Sequence, residues 1–346
     1  MQSLYVLGGA QRPVFKDTQQ EWFLFEKAMV VRVDLETGAS RVCLTHESPL
    51  EARADQQSSV LFKSGMVAGN RLFTCTSTEV LIYQVPEFKL LSYLSLPFFN
   101  DLHHVAPTPH GTLMLAVTGL DMVAEITSEG ELLHTWGAVS EPEGWRPPDP
   151  RTDYRKIPTL KPYKAHPNYV FWAQGEPWVS RGDRGDAVCL RDPRRRIDLG
   201  TTECVHDGWR REGRLYFTSV DGHLIIVDEQ RLTVEERIDL NAIGEEGKIG
   251  FSWCRGVLPV DERRVWVGFT RIRQTRWIEK VKWIKHLAVG FPRPTSLALY
   301  DIVDRQMLQE INLEPSGMHA TFGALPAPVH SVTDPDETPM LQYSSV

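Results

Sequence analysis

Short apolar runs rich in Val, Ile, Leu, Tyr, Phe and Trp recur along the chain, separated by turn residues. This pattern predicts β-strands. The strands come in groups of four: an inner strand that starts at a small polar cluster, two apolar strands, and a more polar outer strand. Five groups start within 59–85, 99–126, 164–190, 203–228 and 251–272, and a sixth start follows at 317–327. A repeat of about 40 residues is typical of a β-propeller.

The sixth group is incomplete, because only an inner strand near 319–326 is predicted at the C-terminus. The N-terminus supplies the three missing strands at 3–9, 28–35 and 40–46. Pairing the two ends within one blade closes the ring and removes free strand edges. The sequence therefore predicts an all-β fold: a single six-bladed β-propeller over 1–330, whose N- and C-terminal strands share the closing blade. A polar tail follows at 331–346.

Three insertions, at 10–27, 138–163 and 272–294, interrupt this pattern. In an up-and-down blade, the loop into the inner strand and the turn between the second and third strands lie on one face. All three insertions are therefore expected to cap the same face as the polar inner-strand starts. Loops of this length are often functional, so they are predicted to form lids over a shared pocket. The alternative is three unrelated surface loops, which cost little entropy.

Composition narrows the class of protein. The 346 residues carry a net charge of −7, which argues against nucleic acid as a partner. Five cysteines without a CxxC pair favour a reducing compartment. The N-terminus lacks the basic and long apolar regions of a signal peptide, and no apolar run is long enough to span a membrane. A cytoplasmic location is expected; the sequence does not indicate the oligomeric state.

Histidines stand at or near four inner-strand starts: His104, His166, His206 and His319. A propeller brings equivalent positions of its blades to one axis, where these imidazoles could hold a divalent transition metal, with iron, copper and zinc all open. His103 is the alternative to His104, since neighbours on a strand point in opposite directions. The candidate acid–base residues are Asp101, Asp207 and His103.

Four basic residues near the same mouth suit an anionic group on a small-molecule substrate: Lys63, Arg181, Arg255 and Arg271. Two alternatives remain open for the polar clusters at which the inner strands begin. The same histidines could act with Asp101, Asp207 and Arg255 in a site without metal, or they could line a water-filled channel without chemistry.

The segment 272–290 is predicted to be a basic amphipathic helix, with Trp277, Val281 and Ile284 on its apolar face. Such a helix can lie on an anionic membrane surface or pack over the propeller as a lid. It underlies the second hypothesis for function: a non-enzymatic propeller that binds a protein partner or a membrane surface through its rim and this helix.

The blade pattern resembles the six-bladed NHL-type and SMP-30-type propellers, and NDLHHV followed by PHG (100–111) is similar to aryl-sulfotransferase-like propellers. The resemblance covers nearly the whole chain and implies architecture. Carotenoid-cleaving oxygenases look similar in holding iron through propeller histidines, and peptide-amidating lyases in holding zinc. The histidines at the inner-strand starts favour a metal-dependent enzyme: an oxidoreductase if the metal is iron or copper, or a lyase or hydrolase if it is zinc.

Overall fold

The structure is a computed structural model that describes residues 1–13, 23–55, 58–140, 144–243, 252–271 and 293–328. These residues form six four-stranded antiparallel sheets. The prediction of an all-β, six-bladed β-propeller is confirmed.

The strands follow the predicted order. The N-terminal strands are β1 (Ser3–Gln11), β2 (Phe25–Asp34) and β3 (Ser40–His46). Blade 1 contains β4 (Met66–Ala68), β5 (Arg71–Cys75), β6 (Val80–Gln84) and β7 (Lys89–Leu94). Blade 2 contains β8 (Leu102–Pro107), β9 (Leu113–Val117), β10 (Met122–Ile126) and β11 (Leu132–Gly137). Blade 3 contains β12 (Pro167–Ala173), β13 (Glu176–Arg181), β14 (Asp186–Cys189) and β15 (Arg196–Asp198).

The remaining strands complete the ring. Blade 4 contains β16 (Val205–Arg211), β17 (Arg214–Ser219), β18 (His223–Asp228) and β19 (Thr233–Asp239). Blade 5 contains β20 (Ser252–Pro259), β21 (Arg264–Arg271), β22 (Ser296–Asp301) and β23 (Gln306–Asn312). The last strand, β24 (Ala320–Pro326), is the inner strand of blade 6 and pairs with β1, in the sheet order β24-β1-β2-β3.

Ring closure follows from the contacts between inner strands. The strands β4, β8, β12, β16, β20 and β24 each contact the next, and β24 contacts β4. Pairing β24 with β1 satisfies backbone groups that would otherwise be exposed at two sheet edges. The shared closing blade that the sequence predicts is confirmed by this pairing.

Apolar residues of the middle strands fill the spaces between blades. Between blades 1 and 2, for example, Phe73, Cys75, Phe99 and Leu115 form one buried cluster. Burying each large apolar side chain contributes about 1.5–3 kcal/mol. The outer strands, such as β7 and β19, are mostly exposed, which explains their more polar sequences.

The insertion between blades 2 and 3 is described from 144 onwards, and it crosses the mouth of the propeller. Asn100 holds it by donating to the carbonyls of Tyr154 and Ile157, both at 2.8 Å. Most of the other two insertions, including the predicted helix 272–290, lies outside the described residues, as does the tail 331–346. In the described ranges, no helix has the length and apolar character needed to cross a membrane.

Candidate functional site

A cavity of about 220 Å³ lies where the inner strands begin, and every blade contributes a side chain to its wall. The six residues, in blade order, are Lys63, His103, His166, His206, Arg255 and Phe322. The insertion that crosses the mouth adds Lys161 and Tyr163. Because all six blades meet here, the cavity lies on the propeller axis; we call it the upper cavity.

The inner strands carry β-bulges at the residues that face the upper cavity. His103 is the extra residue in β8, His206 in β16 and Phe322 in β24, since pairing with the neighbouring strand skips each of them. In β20 the register shifts between Cys254 and Val257, which flank Arg255. A bulge interrupts the ladder and redirects a side chain, and bulges are common beside functional sites. The repeated bulges therefore supply the geometry that directs these side chains to the axis.

A second cavity of about 140 Å³, the lower cavity, is lined largely by the residues that follow those of the upper cavity in sequence. Its wall includes Ser64, His104, Asp207, Gly256 and Gly323. Successive residues of an inner strand thus serve different cavities, as the alternation of side chains along a strand requires.

Three imidazoles meet at the upper cavity. The ring centroid of His103 lies 5.2 Å from that of His166 and 5.4 Å from that of His206. His103 Nδ1 donates to the carbonyl oxygen of Asp101 at 2.9 Å, and His206 Nδ1 donates to Asp207 Oδ2 at 3.0 Å. A neutral imidazole that donates from Nδ1 carries its lone pair on Nε2. These hydrogen bonds therefore make Nε2 the basic atom of both rings.

Asp101 is the central carboxylate of the upper cavity. Its Oδ1 accepts from Lys63 Nζ at 3.2 Å, and its Oδ2 accepts from the Tyr163 hydroxyl at 2.6 Å. Burial by itself raises the pKa of Asp101, but Lys63, Lys161 and the hydrogen bond from Tyr163 outweigh it and hold the pKa well below the usual value. Burial, together with Lys63, lowers the pKa of His103 well below its usual value. At neutral pH the carboxylate is therefore charged and the imidazole is neutral.

Two cationic side chains, Lys63 and Arg255, lie beside the Phe322 ring in the wall of the upper cavity. Arg255 packs its guanidinium over the rings of Trp253 and Phe322, at 4.7 and 4.3 Å from the centroids. Lys63 Nζ lies 4.9 Å from the centroid of Phe322. Stacked guanidinium groups are well suited to bind carboxylate or phosphate oxygens.

A cluster of metal-ligating residues lies at the edge of the upper cavity: His166, Asp183 and Cys204. His166 Nδ1 is 3.2 Å from Asp183 Oδ1 and 3.8 Å from Cys204 Sγ, and the three donor atoms lie within 4.8 Å of one another. His166 and Cys204 both line the cavity. Burial lowers the pKa of His166, but Cys204 and Asp183 raise it to about 10, so this point of the wall favours a positive charge.

Asp121 fixes the backbone that carries His166. Its carboxylate accepts from the backbone amides of Lys164, Ala165 and His166 at 2.7, 2.8 and 2.9 Å. His166 has φ of +59°, a left-handed conformation that is rare for residues other than glycine. Three hydrogen bonds to one carboxylate hold this uncommon conformation and so determine where the imidazole lies.

The site residues predicted from the sequence do not all line one cavity. The upper cavity brings together Lys63, Asp101, His103, His166, His206 and Arg255. His104 and Asp207 line the lower cavity instead, so the four histidines expected as metal ligands do not share one cavity. The physical reason is the bulge in β8, which directs His103 rather than His104 to the upper cavity.

His319 and two of the four basic residues have local partners. His319 Nδ1 accepts from the backbone amide of Gln11 at 3.1 Å, at the start of the closing strand. Arg181 forms a bidentate ion pair with Asp186, and Arg271 pairs with Glu314 at 3.2 Å. None of the three is among the described residues that line the upper cavity.

Sequence reasoning missed Cys204, Tyr163 and Phe322, and it did not select Asp183 as a metal ligand. A signal was available for Cys204, which lies two residues before His206 in the same polar start. Asp183 belongs to a short 3-10 turn, Gly182–Arg184, in the preceding blade, and turn chemistry alone explains an aspartate there.

No known protein family matches the sequence, and no curated protein matches it. A protein of unknown function from Bacteroides caccae is structurally similar, with a TM-score of 0.58 and 11% identity over 94% of this chain and 98% of that chain. A chain of a nidogen/laminin complex has a TM-score of 0.53 and 8% identity over 94% of this chain and 98% of its own. At these identities the similarity shows the fold alone.

Proposed function

We propose that this protein is a zinc-dependent hydrolase or lyase that acts on a small organic anion in the upper cavity. The observation that carries the proposal is the cluster of His166, Asp183 and Cys204 at the cavity wall. Zinc is bound in proteins by this combination of nitrogen, oxygen and sulfur donors, and catalytic zinc sites have three protein ligands and one open position.

Two of the three ligand separations are compatible with zinc. With bond lengths of 2.0–2.3 Å and tetrahedral angles, zinc holds nitrogen and oxygen ligands about 3.3 Å apart, and nitrogen and sulfur ligands about 3.6 Å apart. His166 Nδ1 lies 3.2 Å from Asp183 Oδ1 and 3.8 Å from Cys204 Sγ. A bound zinc ion would polarise a substrate oxygen or acidify a water molecule.

The substrate class follows from the opposite wall. Lys63 and Arg255 flank the Phe322 ring and suit a carboxylate or phosphate group. His103, neutral and with its lone pair on Nε2, is the proposed proton acceptor. The cavity of about 220 Å³ suits a molecule of metabolite size rather than a polymer.

We also propose a cytoplasmic location. All five cysteines are free thiols, and Cys75, Cys189 and Cys254 are buried. Absence of disulfides is the usual state in a reducing compartment.

The test is zinc stoichiometry and affinity. Wild-type protein, stripped with a chelator and reloaded, is expected to hold one zinc ion per chain by inductively coupled plasma mass spectrometry. The variants Cys204→Ser and His166→Ala are expected to bind zinc at least about 100-fold more weakly in competition with a chromophoric chelator, because each removes a direct ligand.

Matched controls exist for both ligand changes. Cys43→Ser and His110→Ala alter the same residue types outside the cavity wall, and both are expected to keep wild-type zinc affinity. Circular dichroism establishes that each variant is folded. Wild-type protein without stoichiometric zinc after reloading, or a folded Cys204→Ser variant of undiminished affinity, would refute the proposal.

Asp121 is expected to act on zinc through the backbone of His166. The variant Asp121→Ala removes the acceptor of three amides and releases the left-handed conformation at His166. Zinc affinity is expected to fall about 10-fold, the order of effect seen when a supporting partner is lost. Asp198→Ala, which changes an exposed aspartate that accepts from Gly200, is the control. Equal affinities for the two variants would contradict the positioning role.

A further inference from the structure

The lower cavity has the character of a separate binding site. Its volume is about 140 Å³, close to the roughly 150 Å³ of an engineered cavity known to bind benzene. Aromatic side chains form much of its wall: Tyr169, Phe171, Trp172 and Trp209. Cationic side chains line the upper cavity, whereas the lower cavity has flat apolar walls and the volume of a single aromatic ring.

Among the described residues, two buried polar atoms of the wall lack a hydrogen-bond partner: the acceptor His104 Nδ1, and the donor Trp172 Nε1. His104 is 3% exposed, and its Nδ1 has no hydrogen-bond partner in the described part of the chain. The ring interacts with the backbone of Gly65 and packs edge-on against Tyr169, with centroids 4.8 Å apart. Burial lowers the pKa of His104 to about 4, so the ring is neutral. A neutral imidazole whose other nitrogen donates to the backbone presents Nδ1 as an acceptor.

Another polar group at this cavity, Asp207, already has hydrogen-bond partners. Its Oδ2 accepts from the amide of Gly256 at 2.6 Å and from His206 Nδ1 at 3.0 Å. Asp207 therefore hydrogen-bonds to a residue of each cavity wall, His206 in the upper and Gly256 in the lower. His104 Nδ1 is an unpaired acceptor that a ligand could satisfy, and leaving such an atom unpaired in a buried site is costly.

We propose that the lower cavity binds a small single-ring phenol, whose hydroxyl donates to His104 Nδ1 while its ring packs against Tyr169 and Trp209. The class of ligand follows from three features together: the cavity volume, the aromatic walls and the unpartnered acceptor His104 Nδ1. This site is independent of the proposed zinc site, because no proposed zinc ligand lines it.

The test is isothermal titration calorimetry of the full chain with phenol and toluene, which match in size and differ in the hydroxyl. The variant His104→Phe keeps an aromatic ring but removes the acceptor. It is expected to weaken phenol binding about 5- to 10-fold, the worth of one buried hydrogen bond, and to change toluene binding less than about twofold. A parallel loss for both ligands, or no loss for phenol, would overturn the proposal.

Two further variants test whether phenol binds in the lower cavity and whether a substitution there leaves the protein folded. Gly323→Ala adds a methyl group to the lower cavity wall, where the nearest atoms are 3.5 Å away, so it is expected to fold and to weaken both ligands. Cys204→Ser, in the upper cavity, is expected to leave phenol affinity unchanged. Loss of phenol binding in Cys204→Ser, tighter binding of benzylamine than of phenol, or no binding of phenol by the wild type would each refute the assignment.

Discussion

A Gly8→Ala variant is expected to lose about 3 kcal/mol of unfolding free energy, because a methyl group cannot fit where the ends of the chain meet. A Cβ on Gly8 would lie 1.8 Å from the carbonyl oxygen of Ala320 and 2.9 Å from its carbonyl carbon. Both contacts are with backbone, so only separation of β1 from β24 relieves them. The register of this pair also shifts at Leu7 and Gly8, beside the bulged Phe322.

Urea denaturation measures this loss, and Gly323→Ala on the facing strand is the matched control. Gly323 does not have positive φ, and the nearest atoms would be 3.5 Å from an added Cβ. We therefore expect the unfolding free energy of Gly323→Ala to differ from that of the wild type by less than about 1 kcal/mol. The pairing tested by these two variants also matters for the candidate site, because β24 contributes Phe322 to the wall of the upper cavity. Similar stabilities for Gly8→Ala and wild type would show that closure tolerates a side chain at this point.

A Glu79→Ala variant is expected to lose about 3 kcal/mol of stability, because four side chains donate to this buried carboxylate. Glu79 is fully buried and accepts from Thr76 Oγ1 at 2.7 Å, the Tyr93 hydroxyl at 2.9 Å and His46 Nε2 at 3.1 Å, and also from Ser48. Removing it leaves these donors without their acceptor inside blades 1 and 6. The control Glu131→Ala, at an exposed position, is expected to change stability by less than about 0.5 kcal/mol.

The stabilisation by Glu79 has a defined pH dependence. Burial raises the pKa of Glu79, but the hydrogen bonds from His46, Ser48 and Thr76 outweigh it and lower the pKa below the usual value of 4.5. A lowered folded-state pKa means that the contribution is complete above the unfolded pKa and is lost as the pH falls through the folded one. The stability difference between wild type and Glu79→Ala should therefore be constant near neutral pH and shrink below about 4.5. A difference that grows in acid would contradict this account.

The sequence predicts only part of the candidate site. Counting residues placed a histidine at the start of β8 but offered both His103 and His104. The choice between them depends on the bulge in β8, which arises from pairing with β9 and has no signature in the local sequence. The proposed zinc ligands pose a different problem, because Asp183 and Cys204 belong to different blades and meet only when the blades stack.

The sequence by itself determined the six blades, the strand order within them and the closing of the ring by both termini. Those features depend on local hydrophobic pattern and turn chemistry, which each segment carries independently of the others. Only the tertiary structure decided which neighbour on an inner strand faces which cavity, and that Arg181, Arg271 and His319 have partners away from the axis. The reason is that bulges and contacts between blades act over a few ångströms but join residues far apart in the chain.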